Sequence, residues 1–351
     1  MRISFPIQFL LLGTLGLQMV GCNDQPAEKD FVPVADVQSQ IPERFALGSC
    51  SRENLPQPLW PEILHKEPGL FIWLGDNIYG DSEDMAVMEE KYTIQKSHPD
   101  YQKLRAKVPI VGTWDDHDFG LNDGGKEFGP RAESQQLALD FLDVPANAPV
   151  REQEGMYQVF DFGEGDRMVR LILLDSRYHR DTLAPSTNPD WRFGVNATGD
   201  MLGEAQWQWL REQLEDSPAK VHLIGSSVQF LAEEHGFEKW ANLPMARQRM
   251  IDLLVETKAA NPIFLSGDRH IAELSKMEVE GLAWPIYDFT CSGLTHTWSE
   301  FWEESNSYRV GDLIIGLNYG LIDFDWEAST LDLEVWGPQD SLYASYPISL
   351  K

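Results

Sequence analysis

Short apolar runs of the chain are followed by side chains that bind metals. Cys50 follows one such run, and Asp76 and Tyr79 follow the next. Asp268 and His270 follow a later run, and at positions i and i+2 of an extended segment they point the same way and converge on one ion. Thiol, phenol, imidazole and carboxylate groups are ligands of transition metals and of hard cations. These residue types and spacings predict a metal site.

A fourth polar segment, DDHD at positions 115–118, places three carboxylates close together. They repel one another unless a cation offsets their charge, although a solvated loop is the alternative. Three of the other residues also have a structural alternative: Cys50 as a small buried hydrophobe, Asp76 as a helix cap, and Tyr79 as a core aromatic. Because independent structural uses would not all fall at strand ends, the set together favours metal binding.

The apolar runs and the segments between them predict an α/β core. Strands are predicted at 45–47, 70–74, 108–111, 169–174, 221–224 and 263–265, and helices at 84–96, 131–142, 203–214 and 245–258. Beyond Gly281, the segments 284–290, 313–324 and 331–335 predict an antiparallel part of a second sheet. Ligands of open α/β sheets bind at the carboxyl ends of the strands, so the metal-binding groups are expected to meet there.

Five segments occur in a fixed order between Phe45 and Trp298: FALGSC, GDNIYGD, TWDDHD, LLDSRYHRD and SGDRH. This ordered set resembles the PhoD-like alkaline phosphatases of the metallophosphoesterase superfamily. Ser49 and Cys50 stand where the superfamily pattern opens with Asp-x-His, and the G-D-x-x-Y element also resembles the purple acid phosphatases. The resemblance implies a four-layer α/β/β/α sandwich of two mixed sheets.

The resemblance also implies a ligand set for two metals. Asp76 would bridge them, with the other ligands divided as follows: Cys50, Tyr79 and His270 at the first site, and Asp116 and Asp268 at the second. A thiolate, a phenolate and an imidazole suit a transition metal such as Fe³⁺, whereas carboxylates suit a hard cation such as Ca²⁺. These two ions together balance the charge of the anionic ligands, and other divalent metals are the alternatives for these sites.

By the same resemblance, the expected function is hydrolysis of phosphomonoesters, phosphodiesters or both by a metal-bound hydroxide. His117, beside Asp116, is predicted to contact a phosphoryl oxygen or to protonate the leaving alcohol. Arg177 is predicted either to contact phosphate or to pair with Asp175. Two alternatives stay open: a phospholipase-D-like diesterase acting on lipid or wall-polymer phosphodiesters, and an inactive metal-binding surface lipoprotein.

Three further residues have open roles near the predicted site. Arg269 lies between two ligand candidates and is a second candidate for contact with phosphate. Gln229 lies near the place of another metal-binding histidine of the superfamily, which indicates a weaker or water-filled second site. His296 is expected close to the centre, either in direct contact or in support of the ligands.

Composition limits the partners. The 351 residues include 56 acidic and 28 basic side chains, which gives a formal charge of −28. This charge opposes binding to nucleic acids and to anionic membrane surfaces. The chain carries 42% hydrophobic residues, enough to bury a large core, so a disordered acidic tail is excluded. The expected substrates are small or polymeric phosphate esters, and the expected state is a monomer.

The amino-terminal segment predicts export. Arg2 precedes an apolar stretch over 3–20 that ends in MVGC at Cys22, which resembles a bacterial lipobox. The resemblance implies a signal peptide over 1–21, lipidation of Cys22, a tether over 22–43 and the phosphatase domain over 44–351. An uncleaved transmembrane anchor is the alternative. The expected location is the bacterial cell envelope, with membrane contact through the lipid anchor only.

Overall fold

The structure is a computed structural model that describes residues 1–2, 31–298 and 304–350. Almost all of the predicted signal peptide lies outside the described residues, and Cys22 lies outside them too. Within the described ranges, none of the helices has both the length and the apolar character that a membrane span requires.

Helices and strands alternate through the first two thirds of the chain. The helices are α1 (Trp60–His65), α2 (Met85–Lys96), α3 (Pro99–Arg105), α4 (Asp116–Phe119), α5 (Arg131–Phe141), α6 (Gly203–Leu214) and α7 (Pro244–Thr257). The strands are β1 (Arg44–Gly48), β2 (Leu70–Leu74), β3 (Ile110–Thr113), β4 (Gln158–Phe162), β5 (Val169–Leu173), β6 (Val221–Ser227), β7 (Pro262–Ser266), β8 (Ala272–Met277), β9 (Ile286–Cys291), β10 (Arg309–Ile314), β11 (Tyr319–Asp325), β12 (Thr330–Gly337) and β13 (Ser341–Ser349).

The strands form two mixed sheets. The six-stranded sheet has the order β13-β12-β11-β1-β2-β3, in which β1, β2 and β3 are parallel and β11 is antiparallel to β1. The seven-stranded sheet has the order β10-β8-β9-β7-β6-β5-β4, in which β5, β6, β7 and β9 are parallel. Helices connect β1 to β2, β2 to β3, β5 to β6 and β6 to β7, and they cover the outer faces of the sheets.

Residues of β2 show how the sequence produces the layers. All five residues of this strand are buried, because the strand is covered on both faces. Leu70, Ile72 and Leu74 belong to the core between the two sheets, whereas Phe71 and Trp73 belong to the core beneath the helices. A period of two places alternate side chains on opposite faces, so one apolar run serves both cores. A third core lies between the seven-stranded sheet and helices α6 and α7. The predicted four-layer sandwich is confirmed.

The late strands differ from the prediction of one second sheet. β9 lies inside the seven-stranded sheet and is parallel to β7, while β11, β12 and β13 complete the six-stranded sheet. The predicted strand over 313–324 is divided, because β10 and β11 belong to different sheets. Arg44 of β1 faces Asp323 of β11 and forms a bidentate ion pair with it. This cross-strand pair adds to the ladder between β1 and β11, a long-range pairing that an alternating apolar pattern does not specify.

The described part of the predicted tether lies against the domain. A 3-10 turn spans Val34–Asp36. The backbone N–H of Val32 donates to Arg105 O at 3.1 Å, and the N–H of Gly163 donates to Gln38 O at 3.0 Å. Residues 31–43 are therefore attached to the sandwich before β1 begins.

Candidate metal centre

The main ligand candidates lie on loops that leave the carboxyl ends of parallel strands. Cys50 follows β1, Asp76 follows β2, and Asp268 and His270 follow β7. All four have left-handed backbones, with φ angles of 59°, 51°, 63° and 54° respectively. Such conformations cost a non-glycine residue on the order of 1–3 kcal/mol and persist where the surrounding structure imposes them. Strain concentrated in neighbouring loops is typical of a functional site.

Two glycines let these loops approach one another. A Cβ atom on Gly75, whose φ is +93°, would lie 2.4 Å from the Cβ of Asp115. A Cβ atom on Gly267 would lie 2.5 Å from the Oγ of Ser49. Real side chains do not approach so closely, so the GDNIYGD and SGDRH segments require glycine at these positions. The loops after β1, β2, β3 and β7 meet for this reason.

The structure brings together the four residues predicted at the first site, here called the first cluster: Cys50, Asp76, Tyr79 and His270. Asp76 Oδ2 accepts hydrogen bonds from Cys50 Sγ at 3.2 Å and from Tyr79 Oη at 3.3 Å. Tyr79 Oη also lies 3.0 Å from His270 Nε2. Ser292 Oγ contacts Cys50 Sγ at 3.1 Å and accepts from the backbone N–H of His270 at 2.8 Å. Ser292 therefore links the two loops.

The first cluster fits a transition metal. The sulfur of Cys50, a carboxylate oxygen of Asp76 and a ring nitrogen of His270 all lie within 4.8 Å of one another. Burial, and then the charge of Asp76, raises the pKa of the Cys50 thiol, while burial lowers the pKa of His270 to about 3. The imidazole is therefore neutral and offers its lone pair. Asp76 Oδ1 is buried and has no hydrogen-bond partner among the described residues, and a bound cation would satisfy it and stabilise the thiolate.

Carboxylates form the second cluster: Asp76, Asp115, Asp116 and Asp268. Oxygens of Asp115, Asp116 and Asp268 lie within 4.8 Å of one another, and Asp76, Asp116 and His117 form an equally close group. Burial, and then neighbouring carboxylates, raises the pKa of Asp268, and burial raises the pKa of Asp115 to about 7. Buried carboxylates repel one another, so this set fits a hard cation. Asp115 adds an oxygen donor to the predicted pair.

Asp118 holds the loops of both clusters in place. Its fully buried carboxylate accepts hydrogen bonds from the backbone N–H groups of Asp76 at 3.0 Å, Asn77 at 3.2 Å and Asp115 at 2.7 Å. These bonds fix the loop after β2 against the loop after β3. The DDHD segment alone does not distinguish this positioning role from metal binding.

His117 lies beside the second cluster, and Asp81 orients its ring. His117 Nδ1 lies 2.8 and 2.9 Å from the two carboxylate oxygens of Asp81, and the His117 ring centroid lies 4.2 Å from that of Tyr79. Burial lowers the pKa of His117, but Asp76, Asp81 and Asp116 outweigh it and raise the pKa to about 10. The Nδ1 proton therefore belongs to the bond with Asp81, and Nε2 is the nitrogen available to a substrate.

Arg177 is surrounded by carboxylates and has no exposed surface. Its Nε donates to Asp115 Oδ1 at 2.6 Å, and one terminal nitrogen donates to Glu238 Oε2 at 2.6 Å. The predicted partner Asp175 instead accepts from the backbone N–H of Arg177 at 2.8 Å. Because the side chain is 0% exposed, the guanidinium has no free face for a phosphate ester. The ion-pair partners are thus Asp115 and Glu238 rather than Asp175, and this position does not support the predicted phosphate contact.

Arg269 and Gln229, whose roles were open, make polar contacts with protein groups. The guanidinium of Arg269 is buried and donates to both carboxylate oxygens of Glu304, at 2.9 and 2.7 Å. The amide nitrogen of Gln229 donates to Glu273 Oε1 at 2.7 Å and to Thr290 Oγ1 at 2.9 Å. These contacts give both side chains a structural role.

His296 lies beside the first cluster, as expected. Its ring centroid is 4.3 Å from that of His270 and 5.1 Å from that of Tyr79. Burial lowers the pKa of His296 to about 4, and its Nδ1 lies 2.9 Å from Thr295 Oγ1. Its buried Nε2 has no hydrogen-bond partner in the part of the chain that the structure describes. A neutral imidazole next to the cluster can support a ligand or accept a proton from one.

Two functional positions were not assigned from the sequence. Asp81, the partner of His117, is the last residue of GDNIYGD, and its place in that segment was the available signal. Glu53 accepts from the backbone N–H of Tyr79 at 3.1 Å and lies 3.6 Å from Lys91 Nζ. Glu53 therefore fixes the loop that carries Tyr79, but no motif marks it.

The clustered candidate metal ligands at the strand ends suit a metal-dependent hydrolase, and the family match makes the substrate class that of phosphoric esters. The family model described as PhoD-like phosphatase matches residues 45–309, and the chain belongs to this family. The predicted family and enzyme class are thus confirmed. No match is found among curated proteins.

Solved structures share the fold. A structure of PhoD matches with a TM-score of 0.68 and 18% identity, covering 91% of this chain and 70% of that one. A purple acid phosphatase from yellow lupin (Lupinus luteus) seeds matches with a TM-score of 0.58 and 17% identity, covering 89% of this chain and 55% of that one. A dimetal phosphatase from Danio rerio matches with a TM-score of 0.55 and 12% identity, covering 88% of this chain and 100% of that one. At these identities the structures bear on the fold alone.

Proposed function

We propose that the chain is a secreted, lipid-anchored phosphatase that hydrolyses phosphomonoesters, phosphodiesters or both with Fe³⁺ and Ca²⁺. One observation carries the proposal. A thiol, a phenol, an imidazole and several carboxylates are buried together at the strand ends, and Asp76 belongs to both clusters. Buried groups of this kind are satisfied by bound cations and are otherwise costly.

The ligand atoms of the two clusters differ, and each cluster therefore suits a different metal. Cys50, Tyr79 and His270 would hold Fe³⁺, because sulfur, phenolate and imidazole ligands suit a transition metal. Asp116 and Asp268 would hold Ca²⁺, because oxygen ligands suit a hard cation. Asp76 would lie between them, since its oxygens contact the first cluster and belong to the second.

Bound metals would supply Lewis acidity and activate water for attack on phosphorus. The protein's own contribution is a positioned proton donor. His117 shares its Nδ1 proton with Asp81, and the resulting orientation leaves Nε2–H to protonate the departing alcohol. Asp118 keeps the loops of Asp76 and Asp115 fixed during the reaction through its bonds to their backbone N–H groups.

Metal depletion tests this proposal. The purified protein is treated with a chelator and then given Fe³⁺, Ca²⁺, both ions, or Zn²⁺ alone. Hydrolysis of p-nitrophenyl phosphate and bis(p-nitrophenyl) phosphate is measured after each addition. We expect activity to be lost on chelation and restored by Fe³⁺ and Ca²⁺ together. Full activity of the metal-free chain would contradict the function, and full restoration by Zn²⁺ alone would contradict the metal assignment.

The export proposal rests on the sequence. The apolar stretch over 3–20 and the MVGC segment that ends at Cys22 support lipidation and location in the bacterial cell envelope. The charge of −28 supports contact with the membrane through acyl chains, because an acidic surface is repelled by anionic headgroups.

A further inference from the structure

An exposed arginine lies over the first cluster. Arg52 follows Cys50 by two residues, and its guanidinium carbon lies 4.4 Å from the centroid of the Tyr79 ring. Tyr79 in turn contacts Asp76 and His270 through its hydroxyl group. The cation therefore packs directly on the ring of one candidate metal ligand.

The backbone of Arg52 is fixed. Its N–H donates to Thr295 Oγ1 at 2.9 Å, and Thr295 Oγ1 donates to Cys50 O at 3.1 Å. The N–H of Thr295 also donates to Cys50 O at 3.3 Å. The segment after β1 is thus attached to the loop after β9, which places the arginine stem at a defined point above Tyr79.

The charge of Arg52 is not neutralised by a protein carboxylate. Within the described ranges, no ion pair joins Arg52 to an acidic side chain, whereas Arg177 and Arg269 are buried and paired. In a chain with a formal charge of −28, acidic side chains outnumber basic ones two to one, so an exposed arginine without an acidic partner indicates a site for an anion from outside the chain. A guanidinium that packs its face on a ring keeps its edge N–H groups free for an anion.

We infer that Arg52 binds the phosphoryl group of the substrate and favours phosphomonoesters over phosphodiesters. This inference rests on the proposed hydrolysis. Guanidinium groups bind two phosphate oxygens at once. A monoester near neutral pH carries between one and two negative charges and three terminal oxygens, whereas a diester carries one charge and two such oxygens. A cation at the mouth of the centre therefore stabilises the bound monoester more.

The test compares two substrates that release the same alcohol. Arg52→Gln and Arg52→Lys are assayed on p-nitrophenyl phosphate and bis(p-nitrophenyl) phosphate, with kcat, KM and metal content measured for each. Arg249→Gln is the control, because Arg249 is an exposed arginine of α7 that pairs with Glu204. We expect Arg52→Gln to reduce kcat/KM by roughly tenfold more for the monoester than for the diester, mainly through KM. Arg52→Lys keeps the charge and is expected to recover part of the loss.

Binding of inorganic phosphate separates this inference from the proposed function. If the metal-loaded wild-type protein hydrolyses neither ester, the function fails, and calorimetric titration with phosphate still tests Arg52. We expect weaker phosphate binding by Arg52→Gln than by wild type and no change for Arg249→Gln. Equal losses on the two esters, unchanged phosphate affinity, or loss of metal in both Arg52 variants would overturn the inference.

Discussion

Replacement of Arg177 by Met distinguishes a structural guanidinium from one that binds phosphate. The wild-type side chain is fully buried and bonds Asp115 and Glu238, and it also donates to Gly124 O at 3.3 Å. Met fills similar space but removes the counter-charge of the buried Asp115, whereas Glu238 keeps its ion pair with Arg180. The change in stability therefore measures the free energy of leaving the buried Asp115 carboxylate without its ion-pair partner.

The magnitude follows from the burial of the pair. Removing one partner of a buried ion pair costs about 3–5 kcal/mol, because the remaining charge keeps its desolvation penalty. For a domain of more than about 250 residues, 1 kcal/mol corresponds to a shift in Tm of about 2 °C. Arg177→Met is therefore expected to lower Tm by about 6–10 °C.

Thermal unfolding followed by circular dichroism measures this change, with chelator present so that lost metal binding does not add to it. Arg211→Met is the control, since Arg211 pairs with Glu256 and both side chains are exposed, and a loss below about 1 kcal/mol is expected. Asp115→Asn combined with Arg177→Met should be less destabilised than the sum of the single changes, because Asn removes the stranded charge of Asp115. A wild-type Tm with a raised KM in Arg177→Met would refute this reasoning and restore Arg177 as a phosphate contact.

Three other changes test the remaining assignments. His117→Asn should retain both metals and slow hydrolysis of alkyl phosphates by about 10²- to 10⁴-fold. Hydrolysis of p-nitrophenyl phosphate should slow much less, because its leaving group needs little protonation. Equal losses on the two substrates in steady-state assays would reject His117 as the proton donor. Cys50→Ala should bleach the visible charge-transfer absorption expected of thiolate and phenolate on Fe³⁺, whereas Cys291→Ala should keep it, and a colourless wild-type enzyme containing only zinc would show the iron assignment to be wrong. Labelled fatty acid should be incorporated into wild-type protein but not into Cys22→Ser, and recovery of wild type as an unmodified soluble chain that begins well after Cys22 would exclude the anchor.

Much of the central architecture follows from local sequence. Buried apolar runs such as 70–74 are strands because both faces of each strand meet a core, and Pro244 begins α7 where a proline is tolerated. The motif residues Cys50, Asp76 and His270 come together because β1 and β2 of one sheet and β7 of the other have their carboxyl ends at the same end of the sandwich.

Long-range pairing is not encoded in such patterns. The alternation in β12 predicts a strand but not its sheet. β12 joins the six-stranded sheet through β11, and β11 in turn pairs with β1, where Arg44 contacts Asp323 across 279 positions. Similarly, Asp175 is two positions from Arg177 and is the acidic side chain that the sequence predicts as its ion-pair partner. The guanidinium instead forms an ion pair with Glu238, which is 61 positions away. Only the folded chain shows which acid is present at the buried end of the side chain.

The most direct test of a two-metal hydrolytic centre is metal analysis of the purified wild-type protein and Asp76→Asn, together with hydrolysis of p-nitrophenyl phosphate. Asp76 contacts the first cluster and belongs to the second, so its replacement weakens both sites at once. Asp332→Asn, on the distant strand β12, is the control. We expect iron and calcium in wild type and in Asp332→Asn, and substoichiometric metal with no hydrolysis in Asp76→Asn. Full metal content and full activity in Asp76→Asn would contradict a centre built on this residue.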